Sequence, residues 1–204
     1  MSSPIVTTTT QAAVFSIVSS VLAQGITAYQ SNSSLSLDWH PVFQFFIFAI
    51  ISTPPNVLWQ IFLESSFPGY FQKETQKQKE DTESTQSKAA LPERLNWRNT
   101  LTKTLLDQSV GACANTFLLC AFIATWEQGL QSATTSIAAV VSRTRADFWP
   151  LVFAGWRFWP WVSISSFALV PDVATRNLIG GLAGIVWGIY LSLATGPSVK
   201  VATE

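Results

Sequence analysis

The sequence predicts an all-α integral membrane protein, a bundle of about four transmembrane helices with an additional amphipathic or interfacial helix. Three observations carry this. Of the 204 residues, 48% are hydrophobic and only 12% are charged, about half the charged share of a soluble domain. Charge is also confined: six acidic and six basic residues, half of the 12 and 12 present, fall between Glu64 and Arg98. Finally, several apolar runs reach the roughly 20 residues that a helix needs to cross a bilayer.

The same composition excludes several functions. Equal numbers of basic and acidic residues leave no excess of Lys and Arg to face phosphates, so no nucleic-acid partner is expected. Cys113 and Cys120 sit on one predicted helix, separated by about 10 Å of rise, too far for a disulfide, and read as small apolar fillers. His40, the single histidine, has no partner at a ligand spacing. No metal, no cofactor and no catalytic residue is therefore expected. The opening "MSSPIVTTTT" has no Lys or Arg and the closing "VATE" matches no retention or peroxisomal signal, so any organellar targeting is expected to be internal.

In order, residues 1–11 read as a flexible N-terminus and 12–63 as a first helical pair. Within that pair, Ala12 to Gln30 places Ser16, Ser19, Ser20, Gln24, Thr27 and Gln30 on one arc, and Val14, Ile17, Val18, Val21, Leu22 and Gly25 opposite. One face suits lipid, and the other suits either helix packing or a wet lumen. His40 to Leu63 is the most apolar run, and Pro54 with Pro55 predicts a kink or a break in it. Residues 64–97 form a polar linker with almost no aliphatic residue after Phe71, solvated rather than packed.

Residues 98–195 form a C-terminal helical region. From Arg98 to Trp126, Lys103, Asp107, Gly111 and Asn115 step by four along one stripe, with Gln108 beside it. Lys103 and Asp107 are spaced for an i,i+4 pair. Ionisable residues in a span are costly and mark either a function or a buried pair. Gly129 to Arg145 separates apolar from polar residues, as an interfacial amphipathic helix or an ordered loop would. The stretch "FWPLVFAGWRFWPWVSISSFALVP", Phe148 to Pro171, crowds four tryptophans around two internal prolines. Tryptophan favours the bilayer–water boundary, so this element is expected to start at a cap on Asp147, bend between Trp156 and Pro160, and continue as a span from Trp161 to Val170. Arg157 sits at that bend. Last, Asn177 to Thr195 aligns Gly180, Gly184, Gly188 and Ser192 as a small-residue ridge for another helix, from the same chain or from a second copy in a homo-oligomer. Residues 196–204 are a tail.

With four spans, the N-terminus, the linker and the C-terminus are expected on one side. That side holds Lys73, Lys77, Lys79, Lys88, Arg94, Arg98 and Lys200 against Arg143 and Arg145 on the other, which places it toward the cytosol or matrix.

Specific motifs now add a resemblance. "WRFWP" from Trp156 through Trp159 to Pro160, "FALVP" from Phe167 to Pro171, Arg176, and "WGIYLS" from Trp187 through Tyr190 to Ser192 resemble the signature of the family of the 22-kilodalton peroxisomal membrane protein and its mitochondrial inner-membrane relative, Mpv-seventeen. This signature spans residues 148–192. Upstream, Gly25 with Gln30, Pro54 with Trp59, and Lys103 with Asp107 and Gln108 follow the family's order. The family's Gln and Asn fall on Ser163 and Ser166 here, an Asp falls on Ile26, and Arg176 lies one residue further from Pro171 than the pattern has it. The resemblance implies a multi-pass protein of the peroxisomal membrane or the mitochondrial inner membrane, with members that look like weakly selective channels.

Three functions follow as expectations. The first is a channel for small solutes or metabolites, with Lys103, Asp107, Gln108, Asn115, Arg157, Arg176 and Gln24 along its polar path. The second is a structural or accessory membrane protein whose polar faces hold the bundle together. The third, a membrane-embedded enzyme, has the least support: no nucleophile stands beside a base and no carboxylates pair.

Overall fold

The computed structural model describes residues 4–70, 95–131, 136–170 and 173–195. Residues 1–3, most of the linker, Pro171 and the tail 196–204 lie outside the described residues, as does the side chain of Ser192. The described elements are α1 (Pro4–Gln30), α2 (Trp39–Ser66), α3 (Trp97–Leu106), a π-helical turn (Asp107–Gly111), α4 (Ala112–Gln131), α5 (Ile137–Leu169) and α6 (Val173–Thr195). Because α3, the π turn and α4 are continuous, the described residues form an all-α bundle of five long rods.

Three of the rods, Ile5–Gln30, Trp39–Ser66 and Trp97–Leu130, are long and apolar enough to cross a membrane. Their exteriors explain why. Val14, Val18 and Leu22 on α1, and Leu58, Ile61 and Phe62 on α2, are exposed, while Ser19 and Ser20 are buried. Polar groups turn inward and aliphatic ones outward, the arrangement a lipid solvent selects. The polar arc of α1 therefore faces the bundle from Ser16 to Gln24, while Thr27 and Gln30 at its end are exposed.

Contacts fix the directions of the rods. Gln108 meets Ser163 and Lys103 meets Phe167, so α5 runs antiparallel to the α3–α4 rod. Phe15 lies against Gly181 and Ser19 against Gly188, so α6 runs parallel to α1. Thr195 consequently stands at the end of the bundle opposite Pro4 and the linker. The expectation that the N-terminus, linker and C-terminus share a side fails for this reason: α5 is a complete descending rod, and α6 makes a fifth, ascending one.

The prolines do not divide their helices. α2 continues through Pro54 and Pro55, and α5 is one helix of 33 residues through Pro150 and Pro160. A break inside an apolar medium would orphan more backbone groups than the one that each proline already removes. The segment expected as a separate amphipathic element is divided between the end of α4 and the start of α5. At roughly 50 Å, α5 is longer than the ~30 Å hydrocarbon core, which leaves its Arg143, Arg145 and Asp147 room outside it. Asp147 does not cap a helix, because α5 begins after Ser136 and Asp147 accepts from Arg143 at 2.5 Å one turn away.

Between α1 and α2 the turn is clamped by one side chain. Gln24 donates to the Asp38 carbonyl at 2.8 Å and accepts from the Asp38 amide at 2.7 Å, while the Asp38 carboxylate caps α2 at the His40 amide. At the far end of the rod, the Trp126 indole donates to His40 Nε2 at 2.8 Å. There too an apolar cluster of Leu119, Ile123 and Leu191 gathers Phe45, Phe48 and Trp187.

Candidate functional site

Two polar stripes zip together in the lower half of the bundle. On α2, Asn56, Gln60 and Glu64 step by four; on the antiparallel rod, Lys103, Asp107 and Gly111 do the same. Glu64 therefore meets Lys103 and Gln60 meets Asp107, in register. Lys103 Nζ lies 2.8 Å from Glu64 and is fully buried; Gln60 Nε2 donates to Asp107 Oδ1 at 2.9 Å. The i,i+4 pair expected between Lys103 and Asp107 does not form, because each has a partner on the neighbouring rod.

Asp107 anchors the upper half of this network. Its Oδ2 accepts from Ser163 Oγ at 2.7 Å and from Gln108 Nε2 at 3.1 Å, and Gln108 also donates to Ser163 at 2.9 Å. Local backbone geometry makes this fit. In the π turn the Ala112 amide bonds the Asp107 carbonyl, one residue further back than in an α-helix. The Gln108 carbonyl thereby loses its α-helical donor and accepts from the Trp156 indole at 2.9 Å instead. Gly111 completes the turn: a Cβ there would lie 2.6 Å from the Trp59 indole nitrogen.

Glu64 anchors the lower half. Besides Lys103 it receives Arg176 from α6 and the Gly69 amide at 3.2 Å. Phe167 of α5 lies beneath both cations, its ring centroid 4.8 Å from Lys103 Nζ and 5.5 Å from the Arg176 guanidinium carbon. Four rods thus meet at one carboxylate. Tyr70 closes the corner, donating to the Ala168 carbonyl at 3.0 Å and bridging to Leu95 at the far side of the linker.

Between the rods lies a cavity of about 350 Å³, to which all five contribute. Asp107, Gln108, Asn115 and Arg176 line it, as do Ser163, Ser166, Asn56 and Asn177. Gln24, Lys103 and Arg157 do not: Gln24 holds the α1–α2 turn, Lys103 is sealed behind Phe167 and Gly69, and Arg157 is exposed. Asn56, Asn115 and Asn177 make no side-chain hydrogen bond among the described residues, and the Gln108 Oε1 is buried without a donor. Gly180, Gly184 and Gly188 of the predicted ridge border the cavity, the first two with nothing within 4 Å of a notional Cβ. Close helix approach occurs at Gly188 of the ridge and at the flanking Gly181, where a Cβ would come within 2.6 Å of Ser19 Oγ and of Phe15. The remaining signature aromatics join α5 to α6: Trp187 stacks on Tyr190 at 4.9 Å and packs edge-on to Trp159.

Gln60 and Glu64 are the residues that sequence reasoning passed over. Glu64 was read as the first residue of the linker, and Gln60 as one polar residue in a greasy run; their four-residue spacing with Asn56 was the available signal. Cys113 and Cys120 are free, the latter buried, and among the described residues no three His, Cys, Asp or Glu side chains group as a metal site.

The Mpv17 / PMP22 family profile matches residues 132–192. PXMP2/4 family protein 3 of Dictyostelium discoideum is 28% identical over 192 residues, 94% of this chain and 84% of the relative. Protein sym1 of Schizosaccharomyces pombe is 26% identical over 212 residues, 97% and 87% of the two chains. Mpv17-like protein of Bos taurus is 29% identical over 102 residues, 50% and 47% of the two. No solved structure matches the chain.

Proposed function

Because the chain belongs to the Mpv17 / PMP22 family, we propose that this integral membrane protein of an internal organelle, peroxisomal or mitochondrial, is a permeation pathway for small solutes. The cavity wall carries the reading. Inside a bundle with an apolar exterior, Asn56, Asn115 and Asn177 present amides without a protein partner. Asn56 and Asn115 are exposed and Asn177 is half-buried, so water or a solute within the cavity can supply the bonds that the protein leaves unmade. Asp107 and Arg176 give the lumen its charge. Transfer along it makes and breaks no covalent bond, so the function is not enzymatic.

A second reading has its own observation. Asp107 accepts from three side chains, as a residue that only holds the bundle together would. Flux through liposomes separates the two. Wild type is expected to pass small solutes above empty vesicles, with a changed ion preference in Asp107→Asn. No flux from folded wild type overturns the permeation reading. Wild-type flux with only the abundance of Asp107→Asn reduced assigns Asp107 to the scaffold.

A further inference from the structure

We infer that the cavity is selective for small uncharged polyhydroxylated solutes over carboxylates and organic cations of equal size, an inference that rests on the permeation reading. The free hydrogen-bonding groups that the wall offers a solute are neutral: the amides of Asn56, Asn115 and Asn177. The charged groups are already engaged. Both oxygens of Asp107 hold donors from Gln60, Gln108 and Ser163, and Arg176 is paired with Glu64 and donates to the Val170 carbonyl. A carboxylate entering this space finds a negative Asp107 and a guanidinium it must share with Glu64. An organic cation finds a carboxylate that three neutral side chains already solvate, which weakens what it gains there. Each would give up its hydration shell for little ionic compensation, and in a low-dielectric interior that loss is large.

A polyol meets matching groups instead. Asn amides donate and accept, as hydroxyls do, and Ser16 and Ser19 spend their hydroxyl protons on backbone carbonyls at 2.8 and 3.0 Å, leaving lone pairs available to a hydroxyl donor. Carbon-bound hydrogens of the solute have the faces of Phe15, Trp159 and Trp187, and the open backbone at Gly180 and Gly184 lets the solute lie close to α6. The volume of about 350 Å³ lies at the small end of the roughly 300–1,000 Å³ typical of ligand pockets.

The test uses full-length protein in liposomes with the membrane potential clamped. It compares erythritol, threonate and tetramethylammonium, and in parallel follows tryptophan emission in detergent as each is added. Erythritol is expected to pass at least about tenfold faster than either ion, given the cost of a bare charge in a span, and to shift the emission of the cavity tryptophans. Asn115→Leu should slow erythritol while leaving the protein folded, and Asn115→Asp, equal in shape, should lose the preference over tetramethylammonium. Equal rates for all three, or faster passage of either ion, overturns the selectivity and leaves the permeation reading intact. An emission shift specific to erythritol with no flux of any solute removes the permeation pathway and keeps the polyol site. Neither flux nor an emission shift from folded protein overturns both.

Discussion

Gly111 shows how one missing methyl group permits the site. The Trp59 ring occupies the space where a Cβ would stand, with its nitrogen 2.6 Å from that point, and the ring is stacked on Phe62 one turn away. Gly111→Ala must move the ring or open the π turn, and overpacking of this kind costs about 1–3 kcal/mol. A lowered thermal midpoint in detergent, with helix content kept, is the expected result. Ser163 gives a milder case: Ser163→Ala removes one of two donors from Asp107 Oδ2 and one acceptor from Gln108, for about 1 kcal/mol. The Lys103, Asp107 and Asn115 stripe was readable from spacing alone, because a four-residue repeat of polar residues stands out in an apolar run. Glu64 was not readable, because a charge beside a charged linker looks like part of it.

At the scale of elements, the spans were legible and their interruptions were not. Length and hydropathy place α2 and the α3–α4 rod within a few residues, since the bilayer sets both, but α1 starts at Pro4 and not at Ala12, so most of the expected flexible N-terminus is helix. Proline predicts a lost hydrogen bond, but whether the helix ends there depends on what surrounds it, and in α2 and α5 the helix continues. The π turn left no local mark at all. Nothing in "DQSVG" requires it; its support is tertiary, the Trp156 indole bonded to the Gln108 carbonyl. Trp156→Phe keeps the aromatic packing and removes that donor, so it is expected to cost about 1–3 kcal/mol and to raise amide exchange across Asp107–Gly111. Exchange that rises equally along the whole rod would instead indicate loss of packing.

Across the whole molecule, Glu64 joins α2, α3 and α6 while Phe167 brings in α5. Its replacement by Gln leaves the fully buried Lys103 without its counter-charge and loosens Arg176, and breaking a buried pair from one side costs about 3–5 kcal/mol. Glu64→Gln is therefore expected to destabilise the fold strongly, and adding Lys103→Met should restore part of the loss, since the second change removes a stranded charge. The same cluster sets the topology. Arg176, near the start of α6, reaches the end of α2, so α6 must begin at the linker end and rise alongside α1. Cysteines placed near residue 5 and near residue 195 in a Cys113→Ala, Cys120→Ala background should then react with an impermeant thiol reagent from opposite faces of the membrane. Equal labelling of both from one face would require α5 not to cross. That outcome would break the antiparallel contacts of Ser163 and Phe167 with the α3–α4 rod on which the cavity is built.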